Sequence, residues 1–271
     1  MKTLGIDLST DPGKTYLCSI DWDAPGPKVA ELKSLREAMQ ESGCSDLAAL
    51  TQEIQGHEVT GIDVPFGWPN DFVAALSDWG RGKPWPGDGS RERLRLRCTD
   101  RFVRDELRDK DGKQRPWTPL SVSSDRLGAT AMYCAHLLNA LEYDRESEAI
   151  LANGRKRRVF EVYPGASLEA WANSDSSLEL KRTGYKRGTG ARDARVALLK
   201  ALMSAVPLNA SQEFQEKMKG NDDALDALIC SVTARHAFKK QTHKPSSPEQ
   251  LKAAATEGWI HFPDTTLSEA K

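Results

Sequence analysis

Apolar positions in the first third of the chain fall into short runs separated by turn residues, and later ones into stripes at three-to-four spacing. Thr3 to Leu8 is a short apolar run, Ser9-Thr10-Asp11-Pro12-Gly13 carries turn chemistry, and Thr15 to Ile20 alternates, which together predict a β-hairpin. A third strand is expected over Val29 to Leu35, after Pro25-Gly26-Pro27, then an amphipathic helix over Ser45 to Gln55 with Ser45 as its N-cap. Val59 to Val64 reads as a strand stopped by Pro65, and Asn70 or Asp71 caps a helix through Trp79. Ser124 to Tyr143 predicts a long helix buried along Leu127, Ala131, Cys134, Leu138 and Leu141. Arg158 to Tyr163 is a strand stopped by Pro164-Gly165, and Ala191 to Ala205 and Asp222 to Phe238 are helices. The segment from about 80 to 120 is too long for an ordinary connection and is expected to be an insertion over a functional face. The pattern predicts an α/β domain over residues 1–238 whose mixed sheet opens with an antiparallel meander and continues with parallel strands. A polar linker and a tail over 239–271 are expected to pack back on it.

Composition narrows the class. The chain has 271 residues, 38 Lys+Arg against 39 Asp+Glu and 39% hydrophobic residues, a balance that excludes disorder and a disulfide mini-protein. Its five cysteines are scattered with no CxxC pair and no zinc-like spacing to a histidine, so they are expected to be reduced. No apolar run approaches the roughly 20 residues of a membrane span, and the start lacks a signal-peptide core; the expectation is a cytoplasmic protein with no membrane partner. The near-neutral total hides two basic segments: Arg81 to Arg115 has 12 Lys/Arg against 7 Asp/Glu, and Ala152 to Arg195 has 10 against 5. Such local surplus suits a polyanion, although solvated loops would look the same.

The informative feature is that three apolar strands each carry one acid near an end: Asp7 in Leu4-Gly5-Ile6-Asp7-Leu8, Asp63 in Gly61-Ile62-Asp63-Val64, and Glu161 in Val159-Phe160-Glu161-Val162-Tyr163. Acids are depleted in strands, and a buried unpaired carboxylate costs several kcal/mol unless something compensates it. The last helix adds Asp222, Asp223 and Asp226, where 223/226 and 222/226 share a helical face. Four converging acids suit hard divalent cations, Mg²⁺ or Mn²⁺, and with no His or Cys interleaved they do not suit zinc. Each acid also has a plain structural alternative. The helix dipole favours Asp222 and Asp223, turn chemistry accommodates Asp7 and Asp63, and Glu161 could pair with Arg155, Arg157 or Arg158.

These residues resemble the ribonuclease H fold of Holliday-junction resolvases and their relatives. More closely, Gly61-Ile62-Asp63-Val64-Pro65-Phe66-Gly67-Trp68-Pro69, Thr99-Asp100-Arg101, Phe160-Glu161-Val162-Tyr163-Pro164-Gly165, Tyr185-Lys186, Asn221 to Ala227 and Glu257-Gly258-Trp259-Ile260 resemble the domain of unknown function family numbered 429, described as predicted nucleases. The resemblance implies that Asp7 bridges two metals, Asp63 binds one, and Asp223 with Asp226 completes the site, with Glu161 as an extra ligand, an outer partner or a substrate contact. It implies hydrolysis of phosphodiesters between two ions about 3.5 to 4 Å apart. Nucleic acid is the expected partner: Arg91, Arg93, Arg95 and Arg97 alternate, which in an extended segment aligns all four for phosphate contacts. Trp68, Trp85 and Trp117 are candidates for base stacking or simple packing, and Arg101 and Lys186 for a clamp on substrate or for surface ion pairs. Rival readings stand beside this one. Asp7 to Thr15 also resembles the phosphate-binding hairpin of sugar-kinase and actin-like ATPases, which suggests a nucleotide phosphotransferase, and the same ions would equally serve a hydrolase of nucleotides or another small phosphorylated compound. The same fold could also serve as a non-catalytic binding platform.

Overall fold

A computed structural model describes residues 1–107, 118–175, 180 and 184–271. The expected hairpin is β1 (Lys2–Asp7) and β2 (Tyr16–Asp21), and β3 (Lys28–Ser34) extends it antiparallel. The third strand stops at Ser34 because that residue opens a helix. Its hydroxyl accepts from Glu37 N at 3.2 Å while the Glu37 carboxylate takes Ser34 N at 2.6 Å, a reciprocal cap for α1 (Leu35–Ser42). Then follow α2 (Asp46–Gly56), β4 (Val59–Asp63) and α3 (Asn70–Trp79), close to expectation.

The basic segment is more structured than a loop: it holds α4 (Arg91–Arg95) and α5 (Cys98–Glu106). The extended arrangement expected for Arg91 to Arg97 is therefore corrected. In a helix alternate residues diverge by about 200°, so these arginines do not line up on one face. The long helix is shorter than expected, α6 (Gly128–Ala140), and is followed by β5 (Ala149–Ala152) and β6 (Arg155–Val162). Pro164 does more than stop β6. It is the first residue of α7 (Pro164–Ser174), a position where its missing N–H is harmless. The chain continues through α8 (Ala191–Ala205), α9 (Gln212–Gly220), α10 (Asp222–Phe238), α11 (Pro248–Glu257) and β7 (Ile260–His261).

The strands form one sheet in the order β3-β2-β1-β4-β6-β5, antiparallel through β1 and then parallel through β4 and β6. The outer edge of β6 is shared: β5 pairs antiparallel with its first half, and β7 runs parallel to Glu161 and Val162. This is the mixed α/β sheet of a ribonuclease H-like fold. One face packs on α10 and α8 through Cys18, Ile20, Leu198, Leu225 and Leu228, the other on α2 and α6 through Leu4, Ile6, Leu50, Ile62 and Leu137. Each such side chain, fully withdrawn from water, contributes roughly 1.5–3 kcal/mol. Among the described residues no helix is long and apolar enough to cross a membrane.

Gly5 and Gly61 are register partners on β1 and β4, and α10 lies directly on them. A Cβ on Gly5 would stand 2.0 Å from the Ala227 carbonyl oxygen and 2.3 Å from Ser231 N; one on Gly61 would stand 2.7 Å from the Cys230 carbonyl oxygen. Hydroxyls fix the helix along its axis: Ser231 Oγ is 2.7 Å from Thr3 Oγ1 and donates to Thr3 O at 3.2 Å, while Trp22 Nε1 donates to Thr3 Oγ1. Gly5→Ala should therefore lower the unfolding free energy by about 3 kcal/mol, because the helix backbone has to move. Gly56→Ala, with nothing near its Cβ, should change it by less than about 1 kcal/mol. Urea denaturation of the two variants measures the contrast.

Candidate active site

Strand alternation decides which acids share a face. Asp7 and Asp63 end β1 and β4, are register partners, and leave the sheet on the face of Gly5 and Gly61 two residues earlier. On that face α10 presents Asp226, one residue before the Ala227 carbonyl that meets Gly5. Of the four acids expected to gather, Asp7, Asp63 and Asp226 come together near the carboxyl ends of parallel strands, where open α/β sheets place their ligand crevices, with Asp223 three residues before Asp226 on the helix. A cavity of about 490 Å³ opens there, with Asp7, Asp63, Tyr185 and Lys186 in its lining and Leu120 and Leu127 among its apolar wall.

Asp226 is fully buried and does not line the cavity itself; the two groups that touch it do. Tyr185 OH donates to Asp226 Oδ1 at 2.7 Å, and Lys186 Nζ lies 2.7 Å from Oδ2. Tyr185 is held in turn by Arg195, whose Nη1 donates to its carbonyl at 2.6 Å. Asp7 and Asp63 have no hydrogen-bond donor or ion-pair partner among the described residues. Burial, followed by the charges of Asp226, Asp63 and Asp223, pushes Asp7 well above the usual carboxylate range despite the opposing pull of Lys186. Burial raises Asp63 to about 7, with Lys186 opposing and Asp226 and Glu161 reinforcing. Burial and the neighbouring Asp222 and Asp226 raise Asp223 to about 6. Burial raises Asp226 as well, against the pull of Lys186 and Tyr185. Burial opposes the charge on Lys186, but Asp226, Asp63 and Asp7 outweigh it and hold the amine protonated.

Asp222 and Asp223 occupy the first turn of α10, capped by Asn221, whose side-chain oxygen accepts from Ala224 N at 3.1 Å. The dipole argument thus applies to both, and only Asp223 is drawn into the electrostatics of Asp7.

Glu161 lines the same cavity as Asp7 and Asp63, with Arg97 and Asp100 beside it. Its register partner is Ile62, whereas Asp63 is paired with Val162, so Glu161 leaves the opposite face of the sheet. Its partner is Arg97 and none of the arginines on its own strand: Arg97 Nη2 reaches Oε1 at 2.6 Å and Nη1 reaches Oε2 at 2.9 Å, while Phe66 N donates to Oε2. Arg97 also bonds both Asp100 oxygens and the Glu257 carbonyl, so all five guanidinium donors are used. At 2% exposure Arg97 is a buried structural cation, which corrects its assignment as a phosphate contact.

The structure does not bring Arg101 to the carboxylates. It donates to Leu96 O at 2.7 Å and lines a separate groove with Asn70 and Arg93. Trp68 is half-buried and does not line the cavity. Trp85 is exposed and packs edge-on against Trp79, their rings 6.2 Å apart; Trp117 lies outside the described residues. The residues missing from the sequence reading are Tyr185 as the anchor of Asp226, Asp100 as a partner of Arg97, and the two strand glycines. A glycine inside an apolar strand is itself a sign of close backbone approach.

The donor set fits a hard divalent cation in chemistry: all its groups are carboxylate oxygens, and the half-buried Asp7 and Asp63 have no partner among the described residues. Among the described residues, however, no three His, Cys, Asp or Glu side chains stand ready to hold a metal. The cation already present among the acids is Lys186.

Two variants separate the acids of this cluster from Glu161. A carboxyl whose folded pKa is raised binds its proton more tightly when folded, so folded stability falls as pH rises from near 3.8 to about 7. Asp63→Asn should therefore be more stable than wild type at pH 8, the advantage fading toward pH 4, in thermal melts across that range. Glu161→Gln should lower stability by about 3 kcal/mol at neutral pH, because it leaves the buried Arg97 charge underpaired.

No curated protein and no solved structure matches the chain. A family model matches residues 5–250, a span that runs from β1 into α11 and includes Asp7, Asp63, Tyr185, Lys186 and Asp226. The chain belongs to the family described as "Protein of unknown function (DUF429)".

Proposed function

We propose that the protein is a metal-dependent nuclease that hydrolyses phosphodiester bonds of nucleic acid, using Mg²⁺ or Mn²⁺ held by Asp7, Asp63 and Asp226, with Asp223 beside them. The observation that carries this reading is that Asp7 and Asp63 line one cavity with Asp226 held behind its wall by Tyr185 and Lys186, burial raising all three pKa values and the charge of Asp226 raising Asp7 and Asp63 further. Mutual repulsion of this kind is costly to the fold and is concentrated where chemistry needs it. Asp7, which feels Asp63, Asp223 and Asp226, would be central among the residues that hold the ions. Bound ions would lower the pKa of an attacking water and stabilise the leaving oxygen.

The chain's own groups prepare that chemistry. Tyr185 fixes one oxygen of Asp226, and Lys186 supplies positive charge at the cavity wall. Leu120 and Leu127 form an apolar side of the cavity. Exposed Arg91, Arg93 and Arg95 on α4 are available to a phosphate backbone. Arg91 and Arg93 form surface pairs with Asp88 and Asp71 that are weak enough for phosphate to replace.

The phosphotransferase reading has less support, because the β1–β2 turn satisfies its own amides. Ser9 N donates to Thr15 Oγ1 at 2.9 Å, Gly13 N to Asp11 Oδ1 at 2.8 Å and Asp11 N to Ser9 Oγ at 3.2 Å, which takes these amides from a phosphate. A binding platform without turnover would have no use for the repelling acids.

The test is a cleavage panel of single strands, duplexes, hybrids and four-way junctions with Mn²⁺. Wild type should cut at least one substrate, and Asp7→Asn should cut it about a thousandfold more slowly. Mn²⁺ should also raise the melting temperature of wild type and have little effect on Asp7→Asn. Cleavage unchanged by Asp7→Asn, or ATP-dependent phosphoryl transfer in place of cleavage, would overturn the reading.

A further inference from the structure

Both carboxylate oxygens of Asp226 have a neighbour at 2.7 Å: Tyr185 OH donates to Oδ1, while Lys186 Nζ makes an ion pair with Oδ2, which is buried and accepts no hydrogen bond. The two neighbours differ in freedom. Tyr185 is buried at 1% exposure and anchored by Arg195, whereas 51% of the Lys186 side-chain surface is open to solvent. Lys186 is bracketed by Gly184 and Gly188, at φ 88° and 100°, with nothing near either Cβ position. A four-carbon stem on such a segment can swing; a buried, doubly bonded tyrosine cannot. The charged groups that face the ammonium are Asp226, Asp63, Asp7 and Asp223. It is thus the cation of the metal-free cluster, and it stands on the oxygen that an incoming ion needs.

We infer that Lys186 is a built-in competitor for the divalent ion: it neutralises the acids while the site is empty of metal and must leave Asp226 Oδ2 before the ion's ligand set can close. This rests on the reading of Asp7, Asp63 and Asp226 as metal ligands. The competition is between two cations for one carboxylate oxygen. It has two consequences. Metal affinity of the wild type is reduced by the fraction of molecules in which the lysine is seated. The ammonium released on metal binding remains at the cavity wall, where a substrate phosphate would be its new counter-ion. Lys186 is a positioning residue in this account, and its effect is read in metal affinity independently of turnover.

Isothermal titration with MnCl₂ at pH 7.5 tests this on wild type, Lys186→Met, Lys186→Gln, Lys186→Arg and Asp226→Asn, with thermal melts of each to establish folding. Lys186→Met and Lys186→Gln should bind Mn²⁺ at least about tenfold more tightly than wild type. Both should melt lower than wild type without metal and gain more from its addition, while Lys186→Arg, which keeps a competing charge, should stay near wild type. Lys186→Met and Lys186→Gln binding no more tightly than wild type, with Asp226→Asn binding weakly or not at all, would overturn the competition and leave the metal site standing. Absence of Mn²⁺ binding in every protein would overturn the metal reading itself, and the competition with it.

Discussion

Helix α10 rests on β1 and β4 at a backbone-to-backbone distance that no side chain other than hydrogen would permit. Gly5 and Gly61, side by side on the two strands, allow the carbonyls of Ala227 and Cys230 to approach the sheet. The Thr3–Ser231 hydroxyl pair then fixes the helix along its axis. Asp226 is one residue from the tightest contact, and Asp7 and Asp63 are each two residues beyond their glycines. The position of every acid in the cluster is therefore set by the same close approach. Moving the helix out by the width of a methyl group would loosen the hydrophobic face built from Leu225 and Leu228 and would also draw Asp226 away from the strand acids.

That geometry concentrates like charge in a place water reaches poorly, and the fold compensates only part of it. Tyr185 and Lys186 hold Asp226, while Asp7 and Asp63 are left with raised pKa values and no partner among the described residues. At the same cavity, but from the other face of the sheet, the chain shows the contrasting solution. Glu161 and Asp100 enclose Arg97 and satisfy every donor of its guanidinium. One set of buried acids is matched within the chain and holds β6, α5 and the Glu257 segment together. The other is left short of positive charge, which distinguishes a binding site from a structural ion pair.

Much of this was legible in the sequence. The opening hairpin, the strand ending at Asp63, and α8 and α10 follow from hydrophobic period and caps; the oddity of acids in apolar strands pointed to Asp7 and Asp63, and the three- and four-residue spacing of acids on the last helix pointed to Asp226. Glu161 carried the same oddity, and only strand register could separate it: pairing with Ile62 puts it on the other face. The partner Arg97 lies 64 residues away in the chain, a contact no local pattern reveals. Two local signals did exist for elements outside the reading. Ser34-Leu35-Arg36-Glu37 has the spacing of a reciprocal helix cap, and Pro164 suits a helix's first residue as well as a strand's end. The extended reading of Arg91 to Arg97 failed because alternation of charge alone cannot distinguish a strand from a short amphipathic helix such as α4, whose buried residue is Leu94.

The central claim is that three carboxylates distant in sequence form one cation site whose present occupant is a lysine. Crystals grown with MnCl₂ and measured at the manganese absorption edge test it most directly. The account predicts anomalous density bounded by Asp7, Asp63 and Asp226, with Lys186 Nζ displaced from Asp226 Oδ2. Saturating Mn²⁺ with no anomalous density at these residues, and Lys186 still seated on Asp226, would contradict it.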